Sequence, residues 1–237
     1  MSRNATKDLT TGSPMKLILG FGIPLLFGML FQQFYNMMDT IIVGKFLGVS
    51  ALASVGATGS INFMIIGFCM GVCNGFAIPV AQRFGARDEH GMRKFVANSV
   101  WLSIIFAVVM AVLVCVFCRQ ILELMNTPED IIDGSYSYIF VIFLGIPATY
   151  MYNLLSGIMR SLGDSKTPLY LLIFSSILNI ILDLLSIIVL KMGVAGAAWA
   201  TVIAQAVSGF CCLGVIWKKF PILHVQREEW QPDNFAY

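Results

Sequence analysis

The chain has 237 residues, of which 58% are hydrophobic and 12% charged, with a mean hydropathy of +0.82. A soluble domain carries roughly 25% charged residues, so a soluble globular protein is excluded and the open quantity is the number of membrane spans. The net charge of +2 says little; where the charges stand says more.

The first sixteen residues are polar, and no short apolar run ends in a small-residue cleavage site. No removable leader is therefore expected. A span needs about 20 predominantly apolar residues, and frames of that kind occur at Leu17–Gly44, within Phe46–Gln82, and at Phe95–Cys118, Gly134–Met159, Thr167–Leu190 and Met192–Trp217. The fold class expected is an all-α, polytopic membrane protein with six transmembrane helices in one bundle. The domain division expected is an N-terminal segment at 1–16, the bundle at 17–217, and a tail or the start of a linker at 218–237.

Lys and Arg collect in short cytoplasmic loops. Arg3, Lys7 and Lys16 precede the first frame; Arg83, Arg87, Arg93 and Lys94 follow the second; Arg160 and Lys166 follow the fourth; Lys218, Lys219 and Arg227 follow the sixth. The other side holds Lys45, Arg119 and Lys191. This predicts that both termini face the cytoplasm; a multi-pass protein of the plasma (inner) membrane is the location expected. On the outer side, Thr127-Pro128-Glu129-Asp130 reads as a helix start, with Thr127 as cap and Pro128 in the first turn.

The six cysteines all lie in or at the ends of apolar runs and read as small apolar residues rather than metal ligands or disulfides. The two histidines, His90 and His224, fall in loop and tail. No metalloprotease, nucleophile-elbow or phosphate-loop motif occurs, so no enzyme is expected.

The informative residues are polar ones inside the frames. In the first, Gln32, Asn36 and Asp39 share one helical face, with Tyr35 and Thr40 beside it. In the fifth, Ser175, Asn179, Asp183 and Ser186 do the same. Inside hydrocarbon such a stripe must face the bundle or a wet cavity. Asp39 lies six residues before Lys45 and Asp183 eight before Lys191, which puts both acids roughly 9–12 Å from the outer flank at about 1.5 Å per residue. Thr201, ten residues after Lys191 on the returning sixth frame, is at a comparable level. If the three helices are neighbours, two carboxylates, an amide and a hydroxyl share a site suited to a proton or a hard monovalent cation, and the acids are expected to titrate as a coupled pair. Gln32, Asn36 and Ser175 are expected to line a polar cavity. No Lys or Arg falls inside a frame, so that cavity is expected to be neutral to acidic. Pro24, with Gly20, Gly22 and Gly28 around it, interrupts the first helix and is the candidate hinge. Gly145-Ile146-Pro147 repeats Gly22-Ile23-Pro24, the trace expected of an inverted repeat.

At these residues the sequence resembles the N-terminal half of the multidrug and toxic compound extrusion (MATE) transporters. The resemblance runs through the whole apolar chain, in YNMMDTIIVGKFLG, SALASVGATG, PVAQRFGARD, GIMRSLGDSKTP, NIILD and GVAGAAWATVIAQ. It implies a secondary active transporter, a cation-coupled antiporter driven by H+ or Na+ that exports organic cations and drugs. It implies a coupling site at Asp39, Asn179, Asp183 and Thr201 with Tyr35 adjacent, no metal beyond a Na+ at Asp39 and Asp183, no cofactor, and a bending proline at Pro24. Small organic cations, membrane lipid, and either a C-terminal six-helix half or a second copy are the partners implied; nucleic acid is not. Family members have twelve spans, whereas six are found here before REEWQPDNFAY. A fragment, a truncated frame that does not transport and a dimerising half all stay open, as does an exporter of lipid-linked saccharides from the same superfamily.

Overall fold

The computed structural model describes residues 13–223; the segments 1–12 and 224–237, with Arg3, Lys7, His224, Arg227 and most of the expected tail, lie outside the described residues. Within them the chain is all-α: α1 (Pro14–Leu47), α2 (Val49–Gly85), α3 (Glu89–Val116), α4 (Cys118–Leu124), α5 (Ile132–Leu144), α6 (Ile146–Ser161), α7 (Lys166–Leu184) and α8 (Gly193–Lys219). A π-helical turn, Leu185–Val189, extends α7, and a 3-10 turn, Pro221–Leu223, follows α8. Five helices are each long and apolar enough to cross a membrane, and α5 with α6 makes a sixth crossing if the bent pair is one span.

That bend falls inside the span expected at Gly134–Met159, which is therefore not one straight helix. The chain turns by 47° between α5 and α6. Pro147 stands in the first turn of α6, where its missing N–H costs nothing, and Gly145 lets the backbone press against Val202 of α8, which a Cβ there would strike. The helix expected from Thr127 also starts later. Residues 128–131 form a turn closed by Ile131 N–H to the Pro128 carbonyl (3.1 Å), and α5 begins at Ile132. There α2 holds it: the Ser135 hydroxyl donates to the Ser54 carbonyl (3.0 Å), and the Ser54 hydroxyl donates to that of Ile131 (3.3 Å).

Small residues decide which helix faces pack, because in lipid close approach rather than hydrophobicity drives association. In α3 the buried stripe is Ser99, Ser103, Ala107 and Ala111 at four-residue spacing. In α2 it runs through Ala51, Ser54, Thr58, Ile61, Ile65, Cys69 and Cys73, which gives two of the cysteines a packing role. In α8 it is Gly196, Ala197, Ala200, Ala204, Ser208 and Cys212. The α8 helix packs most extensively on α7 and α6, and α2 on α6, around a core that includes Met92, Ile139, Phe143, Ile146, Ile158 and Met159. Helix α1 stands apart: only Asp39, Ile42 and Val43 are buried.

Two loops on one end of the bundle are built by carboxylates. Asp88 caps α3, accepting from Gly91 N–H (2.9 Å) and the Arg83 guanidinium (2.7 Å). Those bonds hold its carboxyl below the usual range, Gly91 contributing most. Asp164, in the turn from α6 to α7, accepts from the N–H groups of Lys166 and Thr167, both at 3.0 Å, which gives the GDSKTP stretch its physical meaning.

Candidate functional site: a buried acid pair behind a polar cavity

Three helices meet at the acids. The stripe of α7 turns inward, with Ser175, Asn179 and Asp183 all buried. The π-turn then fastens to α8 through the Ser186 hydroxyl, which donates to the Gly196 carbonyl (3.1 Å). A Cβ on Gly196 would sit 3.1 Å from that of Ser186, so glycine permits the approach. From α8, Thr201 receives the Tyr35 phenol of α1 (3.3 Å) while its own hydroxyl donates to the Ala197 carbonyl (3.1 Å).

The Asn179 amide bridges this pair to the acids. With its oxygen toward α8 it accepts from Thr201 N–H (3.1 Å), and its nitrogen donates to Asp183 Oδ2 (2.9 Å). Turned the other way it donates to Thr201 Oγ1 at 3.2 Å and leaves that carboxylate oxygen without it. The first orientation gives more of the buried atoms partners, as burial demands. The carboxyl groups of Asp39 and Asp183 are close enough to couple electrostatically. Asp39 is 8% exposed and Asp183 fully buried. The Oδ1 atom of each is buried without a hydrogen-bond partner among the described residues, and no Lys or Arg pairs with either acid. Buried oxygens of this kind leave room for a proton or a cation.

Asp39 lines a cavity of about 430 Å³. The cavity follows α1 from Pro24 to Asp39, about 22 Å of helix at 1.5 Å per residue. Of the residues expected to line it, Gln32 and Asn36 do, together with Tyr35 and Thr201. Ser175 does not: its hydroxyl donates to the Ala204 carbonyl (3.4 Å) and joins α7 to α8. Asn179 and Asp183 stand behind the wall. Helix α1 runs unbroken through Pro24, which lines the cavity.

Sequence reasoning missed four residues here. Tyr138 of α5 is buried within electrostatic reach of Asp39, Tyr35 and Asp183; its phenol in SYSYIFVIFL looked no different from that of Tyr136. Asn62 of α2 and Gln205 of α8 line the cavity and each keeps a buried side-chain oxygen unpartnered among the described residues. The four-residue step from Thr201 to Gln205 was the available signal. The fourth, Arg160, corrects the expectation of a cavity free of basic groups. It stands in the last turn of α6, which reaches far enough inward for the side chain to line the cavity.

This is the architecture of a multi-pass membrane protein with an intramembrane acid site. The MatE family model matches residues 24–185, and the chain belongs to that family, whose members are transporters rather than enzymes. The probable multidrug resistance protein YoeA of Bacillus subtilis is 34% identical over 205 residues, which are 84% of this chain and 44% of that protein. YpnP, a probable multidrug resistance protein of the same species, is 31% identical over 201 residues, 85% of this chain and 45% of that one. Among solved structures, an outward-facing multidrug resistance MATE transporter of the MOP superfamily aligns with a TM-score of 0.87 at 28% identity, covering 97% of this chain and 51% of that chain. The chain thus spans about half the length of the relatives it matches.

Proposed function

We propose that the chain forms one half of a cation-coupled antiporter that exports small organic cations. The observation that carries this is the acid pair: Asp39 on the cavity wall and Asp183 buried behind it, neither paired with a basic side chain among the described residues, with Asp183 linked through Asn179 and Thr201 to Tyr35. An ionisable group at membrane depth is a functional site by default, and H+ or Na+ suits the oxygen ligands of this one, which supports reading it as the coupling site. Names of relatives that refer to multidrug resistance support drug-like cargo and do not favour lipid-linked saccharides. In this reading both termini face the cytoplasm, the protein sits in the plasma membrane, Pro24 is the hinge of α1, and a second six-helix half or a second copy supplies the opposite wall.

The test is flux of ethidium out of membrane vesicles driven by a proton or sodium gradient. Asp39→Asn and Asp183→Asn are each expected to abolish it with the protein still present in the membrane. Gradient-dependent efflux retained in both variants overturns the reading.

A further inference from the structure

The cavity has charge at both ends, of opposite sign. Asp39 marks one; Arg160 lines the other, together with Ser165, Pro168, Leu169 and Leu172 from the α6–α7 turn and the start of α7. Leu169 and Leu172 pack at the level of Gly28 on α1, about 16 Å of helix from Asp39.

Arg160 is not explained by a partner. It makes no hydrogen bond or ion pair among the described residues. The acid four residues on, Asp164, is already held by the N–H groups of Lys166 and Thr167. The titratable groups within electrostatic reach of the guanidinium are the Tyr152 phenol and the thiols of Cys212 and Cys73, none of which carries a compensating charge at neutral pH. A position in the last turn of α6 is favourable to the helix dipole, but that needs only a positive charge near the helix end, not a side chain on a cavity wall. Arg presents five N–H donors in a planar fork that matches a carboxylate or phosphate two-point fashion. Asn74 and Asn153 add amide groups to the same wall, and Leu25, Met29, Ile66 and Met70 form its apolar length.

We propose that Arg160 makes the α6–α7 end of the cavity a binding site for the acidic group, a carboxylate or phosphate monoester, of an amphipathic organic molecule. The cargo accepted at this wall is then not confined to cations. The inference rests on the cavity being the cargo site, and it deepens that reading by adding the sign of charge taken at one end.

A matched pair of probes with one body and opposite charge tests it: 4-phenylbutyrate and 4-phenylbutylamine, titrated calorimetrically into the chain in phosphatidylcholine nanodiscs, with empty discs subtracted. Arg160→Gln is expected to weaken phenylbutyrate binding roughly tenfold or more, the scale of a lost charge-assisted hydrogen bond. Arg160→Lys keeps the charge and the dipole interaction but not the two-point fork, and its affinity is expected to fall between those of the unmutated chain and Arg160→Gln. Phenylbutylamine should bind alike to all three. Equal phenylbutyrate affinity for the unmutated chain and Arg160→Gln overturns the proposal, and so does a parallel loss of both probes. Should Arg160→Gln fail to fold, phenylglyoxal labelling of Arg160 in the unmutated chain, read by mass spectrometry, decides instead. Phenylbutyrate is expected to slow it and phenylbutylamine not; equal labelling rates overturn the proposal. No gradient is involved, so failure of the antiport reading, seen in the aspartate variants, is distinguishable from failure here.

Discussion

Gly22-Ile23-Pro24 and Gly145-Ile146-Pro147 are the same three residues in two membrane segments, and they do opposite things. The first lies inside a continuous helix; the second divides α5 from α6 at a 47° bend. Their surroundings explain the difference. Nothing lies within 4 Å of where a Gly22 Cβ would be, and Ile23 is 50% exposed. Gly145 is pressed against Val202, and Ile146 is fully buried. Proline takes an N–H from the backbone in both places, from the interior of α1 at Pro24 and from the first turn of α6 at Pro147. Only where a neighbouring helix holds the two sides at an angle does that omission become a break.

Four comparisons among variants test this account. The largest effect is expected from Gly145→Val, which drives two methyl groups into Val202. The cost should be at least the 1–3 kcal/mol typical of overpacking, read as a lower unfolding midpoint in detergent. The double variant Gly145→Ala with Val202→Ala is expected to recover most of what Gly145→Ala alone loses; no recovery would show that the contact with α8 does not set the bend. Pro24→Ala restores an N–H inside a helix that is already continuous, so stability should rise modestly. Its flux is expected to fall if α1 must bend, an effect that Pro147→Ala should not reproduce. The smallest effect belongs to Gly22→Ala: with open space around it, only helix propensity changes, and a gain of roughly 0.5–1 kcal/mol is expected. A loss there would mean that α1 meets something at Gly22 that this chain does not contain.

The same contrast explains what could be read from the sequence. Hydropathy and Lys/Arg spacing located the membrane segments because both are local quantities. The meeting of Asp39, Asn179, Asp183 and Thr201 was legible because polar residues in a lipid-bound helix must turn inward and a fixed rise per residue sets their level. Ser175 shared that face but not that destiny, since the Ala204 carbonyl of α8 intercepts its hydroxyl before it reaches the cavity. The bend at Gly145, the inward reach of Arg160 and the choice of Tyr138 over Tyr136 depend on which helix lies alongside, and no periodicity within one segment carries that. Hydropathy is likewise silent on packing. Windows in α1 and α8 have the same mean hydropathy, 1.8, yet 6% and 28% of them are buried. The difference follows from the Gly, Ala, Ser and Cys stripe of α8 against the Leu, Phe and Met surface of α1.

The unequal burial of the two acids gives the proposed coupling site an order of traffic. Asp39 borders the cavity and Asp183 does not, so in that proposal an ion arriving from the cavity encounters the first before the second. The two positions would then be consecutive stations on a single track: exchange at the inner one would run no faster than the outer one clears, and a cation resting at Asp39 would keep whatever Asp183 holds from leaving.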